Sequence, residues 1–196
     1  MTTIQLIGAP GSGKSTVASI LSKLLDMPLF VEPFEQNEFI PMLAQGLPVY
    51  YECEARMLEL TTSQEAIASA THDGAILDGG RLQTMGFIRH FLSDKKLKQW
   101  EFKSLAATFD ESRKTLKLPD FVFMLQAPPK VIKKRIQHRG RDFEQGYTTH
   151  FLCSLQDSIF VESTFMRRIM IDSNRDVLDV VGNIIDILQQ EVDNAG

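Results

Sequence analysis

The sequence predicts an α/β fold: a five-stranded parallel sheet flanked by helices in three layers. Three observations predict it. Short apolar runs alternate with stretches of helical periodicity from one end of the chain to the other. Each run is too apolar to turn a face to water, which is the pattern of strands covered on both sides. A glycine-rich loop separates the first run from the first helix, the order that a phosphate-binding strand–loop–helix unit requires.

Taken in order, Ile4 to Ile7 reads as the first strand and Ser15 to Leu25 as a helix. Val17, Ile20, Leu21, Leu24 and Leu25 are placed on its core side. Leu29-Phe30-Val31 is a second strand ending at Glu32-Pro33. A helix-rich stretch from Phe39 to Ala70 follows, broken near Gly46-Leu47-Pro48. Ala75-Ile76-Leu77 is a third strand closed by Asp78-Gly79-Gly80, and helical sequence then runs to about Leu116. Phe121 to Leu125 is a fourth strand and Pro129 to His138 a short helix. The polar segment from Arg139 to Tyr147 reads as a loop, and a helix spans about Thr148 to Met166. Arg168 to Asp172 is a fifth strand. The last helix carries one apolar stripe through Val177, Val181, Ile184, Ile185, Leu188 and Val192. No linker or repeat divides the chain, so residues 1–196 are expected to form one domain.

Composition narrows function without naming it. A net charge of −4 gives no whole-chain attraction to nucleic acid or anionic membrane. Cys53 and Cys153 share no metal-type spacing and read as two reduced, buried thiols. His72, His90, His138 and His150 lack metal-ligand spacing as well. The N-terminus runs straight into the glycine loop, leaving no room for a cleaved leader, and no apolar run approaches membrane length. A cytoplasmic protein is expected.

The loop Gly8-Ala9-Pro10-Gly11-Ser12-Gly13-Lys14-Ser15 carries the first chemistry. Glycines at 8, 11 and 13 allow the backbone to approach phosphates closely, and the amides and helix dipole then face the anion. Lys14 reaches the β- and γ-phosphates, Ser15 is placed to ligand Mg²⁺, and Thr16 continues the cradle at the helix start. GTPases, ATPases and kinases share this loop. Guanine-specificity sequences of the Asn-Lys-x-Asp kind are absent and the chain is short for a motor, which favours a kinase with ATP as donor.

Two carboxylates and a basic segment join it. Glu32 ends the second strand, where ligands of parallel sheets bind, and can accept the proton of an attacking hydroxyl; a capping role at a turn is the ordinary alternative. Asp78 ends the third strand, placed to organise Mg²⁺ through water, or to serve only as a turn aspartate. Arg135 and Arg139 lie four apart on one helix face, with Arg141 beyond the Gly140 joint. Guanidinium groups on a lid over about 135–147 suit the spread charge of a transferring phosphoryl group. A solvated basic helix end and a nucleic-acid patch are the alternatives.

The loop at 8–15, Glu32-Pro33, Asp78, and the run Arg135-Ile-Gln-His-Arg139-Gly-Arg141-Asp-Phe-Glu144-Gln145 together resemble the deoxynucleoside kinases. The resemblance extends from residue 3 to about 190. It implies a thymidylate-kinase-like P-loop fold and transfer of the ATP γ-phosphate to a nucleoside 5′-hydroxyl. Glu32 would be the general base, and Lys14 and Ser15 would hold phosphate and Mg²⁺. Arg135, Arg139 and Arg141 would be lid arginines, Glu144 would meet the sugar 3′-hydroxyl, and a homodimer packed through long helices would be possible.

The acceptor side departs from the family. Asp78-Gly79-Gly80-Arg81 stands where the family has an acid followed by Arg-Ser, so Gly79 takes the arginine's place and Arg81 is a candidate substitute. Glu52 and Glu59 align with the family's base-reading glutamine and arginine, with Arg56 one turn before Glu59. The shortened spacing from Pro41 to Glu52 removes the tyrosine that meets the sugar. Glu32, Glu52, Arg56, Arg81 and Glu144 are therefore the acceptor-side candidates. The rewritten side leaves other acceptors open: a nucleoside monophosphate, or a hydroxymethylated pyrimidine in viral DNA, for which Gly79 and Gly80 would open room. A non-catalytic nucleotide-binding scaffold is the remote alternative.

Overall fold

The computed structural model of the protein describes residues 2–141, 144 and 146–193. Asp142, Phe143 and Gln145 of the arginine-rich run lie outside these, as does the Val192 side chain. Five strands, β1 (Thr3–Ile7), β2 (Leu29–Phe30), β3 (Ala75–Asp78), β4 (Phe121–Gln126) and β5 (Arg168–Asp172), form one parallel sheet in the order β2-β3-β1-β4-β5. In the register, Ile4 stands beside Ile76 on one side and Phe121 on the other. Val122 faces Arg168 across the next ladder. The order reverses at β1, so the loop after it opens into the crevice at the carboxyl ends of the strands.

The period of two along each strand distributes side chains to two cores. Ile4 and Leu6 of β1 and Phe123 and Leu125 of β4 pack against α1 (Lys14–Leu25) and α8 (Val177–Asp193). Ile7, Val122 and Met124 point the other way, against α3 (Tyr50–Ser69), α4 (Arg81–Ser93), α5 (Gln99–Thr115) and α7 (Thr149–Glu162). Both faces are thus buried, which is why the strands are continuously apolar. The remaining helices are α2 (Ile40–Ala44) and α6 (Pro129–Arg139). Among the described residues no helix is long and apolar enough to cross a membrane.

Helices α4 and α7 pack closely because Gly86 has no side chain. A Cβ there would stand 2.8 Å from the Ile159 Cα and 2.4 Å from its Cγ1.

Several sequence expectations need correction. The helical stretch before Leu116 is two helices, broken at Asp94–Lys98. Lys95 sits at φ 58°, the Lys96 and Leu97 amides return to the Phe91 carbonyl at 2.8 and 3.0 Å, and buried Leu97 seats the turn. No glycine or proline marks it, so the pattern gave no warning. Helix α7 stops at Glu162, four residues short of Met166. Val31 is exposed beyond β2, and Leu24 points outward from α1. Cys53 is buried and free, but Cys153 is exposed, so only one of the two thiols is interior. Trp100 of α5 is exposed and packs its ring on Tyr51, with ring centres 5.7 Å apart.

Candidate active site

Two cavities meet at the carboxyl ends of the strands. The first, about 610 Å³, is walled by Gly13, Lys14, Ser15 and Thr16 on one side and by Arg135 and Arg139 of α6 on the other. Lys14 is only 6% exposed. Its ammonium donates to the Gly8 carbonyl at 2.8 Å and the Ala9 carbonyl at 3.3 Å, within the loop it would share with a phosphate. The buried Ser12 hydroxyl has no partner among the described residues. Arg135 ties this wall together, donating to the Ser173 carbonyl at 2.8 Å and to that of Ser12 at 3.4 Å. Ser15 and Thr16 begin α1 exposed, where the helix dipole and free amides favour an anion.

The second cavity, about 370 Å³, is mostly apolar, with Phe34, Tyr50, Met57, Phe87 and Phe91 in its lining. Three acids, Glu32, Glu54 and Glu144, line it together with Thr84, Tyr147 and one cation, Lys96. Few polar groups in an apolar hollow is the usual make-up of a small-molecule site. Glu32 is held by Gln83, whose amide donates to Glu32 Oε1 at 2.7 Å. The Gln83 carbonyl accepts the Gly8 amide at 3.2 Å. One side chain of α4 therefore couples the base candidate to the first residue of the phosphate loop. Loss of hydration pushes the Glu32 carboxyl up to about 7; the Lys14 ammonium opposes this, and the neighbouring Asp78 charge adds to it. Such a value near neutrality suits a group that takes a proton.

Asp78 is 3% exposed, and its Oδ1 has no partner among the described residues. Glu144, also buried, holds Arg139 by a close carboxylate–guanidinium contact and stands 3.7 Å from Arg141. The Arg141 guanidinium lies 5.9 Å from the Phe34 ring centre. Glu144 thus lines the second cavity while its partner Arg139 lines the first.

The structure does not bring every acceptor candidate to this cleft. Helix α3 presents Tyr50, Cys53, Glu54 and Met57 to the cavity, the i, i+3, i+4, i+7 set of one face. Glu52 and Glu59 consequently point away and are exposed, and Arg56 pairs with Glu38 at 3.4 Å and Glu59 at 2.7 Å outside the cavity wall. Arg81 does not replace an arginine at 79. It is 1% exposed and turned away from the cleft, bonded to Glu65 at 2.7 Å by both Nε and its own amide, and to Ser112 Oγ at 2.7 Å.

The two glycines have different reasons. Gly80 has φ 108° and ψ −173°, a conformation other residues scarcely adopt. A Cβ there would meet Gln5 Nε2 at 2.2 Å and Glu65 Oε1 at 2.7 Å. Gly80 therefore makes room for a buried network, not for a larger acceptor. Gly79 does face the base candidate, since its Cβ would stand 3.1 Å from Glu32 Cδ.

Sequence reasoning missed Gln83, Glu54 and Gln5. Gln5 interrupts an apolar strand, and its amide donates to the Gly79 carbonyl at 2.6 Å, bracing the turn after β3. A polar residue inside β1 was the available signal. Glu54 carried none beyond its helical phase relative to Tyr50 and Met57.

Comparison with known proteins bears directly on this arrangement. The deoxynucleoside kinase family profile matches residues 4–191. The chain belongs to the deoxynucleoside kinase family. Members of that family are phosphotransferases that act on a hydroxyl. The deoxyguanosine kinase of Lactobacillus johnsonii is 30% identical over 151 residues, 74% of this chain and 67% of that protein. The deoxyadenosine kinase of Dictyostelium discoideum is 22% identical over 158 residues, 80% of this chain and 64% of its own. The chain therefore spans about two thirds of the length of the curated relatives it matches. In fold, the deoxyadenosine kinase from M. mycoides with bound dATP aligns with a TM-score of 0.84, covering 96% of this chain and 100% of that one at 22% identity. Related deoxynucleoside kinases thus differ in the base they are named for, and the family alone does not assign one here.

Proposed function

We propose that this deoxynucleoside kinase relative transfers the γ-phosphate of ATP to the 5′-hydroxyl of a deoxynucleoside. The observation that carries the reading is the junction of the two cavities. A buried lysine of the phosphate loop and a carboxyl tuned near neutrality act on one another there, with Gln83 tying the carboxyl to the loop. The carboxyls of Glu32 and Glu144 in the second cavity favour an uncharged acceptor over a nucleoside monophosphate or a DNA strand, whose phosphates would stand beside them.

In this reading the triphosphate lies along Gly8, Gly11, Ser12, Gly13, Lys14, Ser15 and Thr16, with Arg135 and Arg139 across from it. Glu32 takes the proton of the attacking hydroxyl. Lys14, Arg139 and Arg141 balance charge spreading over the transferred group, and Glu144 meets the sugar. The segment over about 135–147 acts as a lid on a single domain. The donor set suits Mg²⁺, which needs few protein ligands and keeps several waters. Ser15 and Asp78, whose Oδ1 has no partner among the described residues, would hold it. The charge needed to neutralise the phosphates would be supplied there by Mg²⁺.

The test is ADP release from ATP with each of the four deoxynucleosides, for the wild type and Lys14→Ala. Release that depends on both a deoxynucleoside and Lys14 is expected. Equal background in the two proteins would refute catalysis at this loop.

A further inference from the structure

Glu54 lines the acceptor cavity at 5% exposure, and it makes no hydrogen bond or ion pair with any described residue. Its charged and titratable neighbours come from each surrounding element. Glu32 faces it after β2, Glu144 and Tyr147 face it from the segment after α6, and Cys53 adjoins it on α3. The cavity's cation on the α4 side is Lys96, which already pairs with Asp94 at 3.0 Å and lies 5.3 Å from the Tyr50 ring centre. Arg139 and Arg141 are turned to Glu144, and Lys14 to the loop carbonyls.

An ionised carboxylate at Glu54 would therefore stand out of water, beside Glu32 and without a counter-cation, which is costly. The proton stays on. Burial first, and Glu32 second, push this carboxyl up to about 8.

A neutral carboxylic acid offers one O–H donor and one carbonyl acceptor side by side, the pattern of a glutamine amide. Its complement on a nucleobase is a ring-nitrogen acceptor next to an exocyclic amine, which adenine and cytosine present. Guanine presents two adjacent N–H donors on the same edge, the complement of an ionised carboxylate. Thymine has a single N–H between two carbonyls and no amine.

We propose that Glu54 reads the acceptor's base as a neutral carboxylic acid, selecting an adenine or cytosine edge, and that ionising it passes the preference to guanine. This rests on the deoxynucleoside reading of the cavity. The base stands among Tyr50, Phe87, Phe91 and Tyr147, and the sugar end lies towards Glu32.

Equilibrium binding of the four deoxynucleosides without ATP, by calorimetry at pH 6.5 and 8.5, tests this without relying on transfer. At pH 6.5 deoxyadenosine or deoxycytidine should bind at least about fivefold tighter than deoxyguanosine, as one well-made pair of base hydrogen bonds discriminates by about 1–3 kcal/mol. The ratio should move towards deoxyguanosine by up to about tenfold per pH unit, the change in the ratio of the two carboxyl forms. Glu32, at the sugar end, bears on the ratio only through Glu54, whose proton its charge helps to hold. Glu54→Gln should keep the pH 6.5 preference and lose the pH shift. A guanine preference at pH 6.5, a ratio independent of pH in the wild type, or an unchanged pH shift in Glu54→Gln would each overturn this inference alone. Binding of none of the four would overturn it together with the proposed function.

Discussion

Replacing Glu32 by glutamine removes one proton acceptor and little volume. The side chain already accepts from the Gln83 amide at 2.7 Å, and Gln83 in turn accepts from the Gly8 amide, so the neighbourhood needs only an amide rotation to stay bonded. The phosphate loop should hold, and ATP should bind within about threefold of wild type, as expected for a change of under 1 kcal/mol. Transfer should fall by about 10²–10⁴-fold, the usual contribution of a positioned general base. The wild type adds a second signature. With the carboxyl pushed up to about 7, the base form grows from about a tenth of the protein at pH 6 to about nine tenths at pH 8. The wild-type kcat/KM should climb about ninefold over that interval, because the ionised form is the active one. Glu32→Gln should lose that climb and keep only the change that ionisation of Glu54 imposes on acceptor binding. Steady-state kinetics at constant ionic strength, with a saturating donor, measure both. A variant within about tenfold of wild type at pH 8, or one that keeps the wild-type climb, would remove Glu32 from the base role.

Arg81→Met should destabilise the fold by about 3–5 kcal/mol in urea titrations, because it leaves Glu65 charged and buried without its partner; an unchanged midpoint would contradict a structural Arg81. Glu54 also bears on stability, through its proton. The folded state keeps that proton up to about pH 8 while the unfolded chain releases it near the ordinary 4.5, so this group lowers stability as pH rises between the two. Glu54→Gln should therefore lose less stability than wild type from pH 5 to pH 8, and parallel midpoints across that range would refute the buried neutral acid. Gln83→Ala should shift the midpoint of the wild-type pH–rate curve and leave ATP affinity within about threefold, since Gln83 touches Glu32 and only one loop amide; an unmoved midpoint would separate Gln83 from the base.

What could be read in advance followed the reach of the interactions. The five strands and the loop after β1 are written locally, in uniform apolar runs and in Gly8, Gly11 and Gly13. So is the position of Glu32 and Asp78 at strand ends, which topology turns into a shared crevice. The acceptor side is written in helical phase and long-range packing. Glu52 and Glu54 are two residues apart, and the choice between them depends on which face of α3 meets the sheet. Tyr50, Cys53 and Met57 fix that face, and they place Glu54 inside. Arg81 looked free to reach the cleft until Glu65, sixteen residues earlier, and Ser112 on α5 supplied its partners. The break at Lys95 was hidden for a similar reason: its turn is stabilised by Leu97 entering the core rather than by a glycine.

The central claim is that the acceptor is a free deoxynucleoside phosphorylated from ATP. The measurement that meets it directly is transfer of a labelled γ-phosphate, in one panel, to the four deoxynucleosides, their monophosphates, and plain or hydroxymethylated DNA. The account predicts label on at least one deoxynucleoside as its 5′-monophosphate, with monophosphates and DNA at background. Label on monophosphates or DNA alone would contradict it.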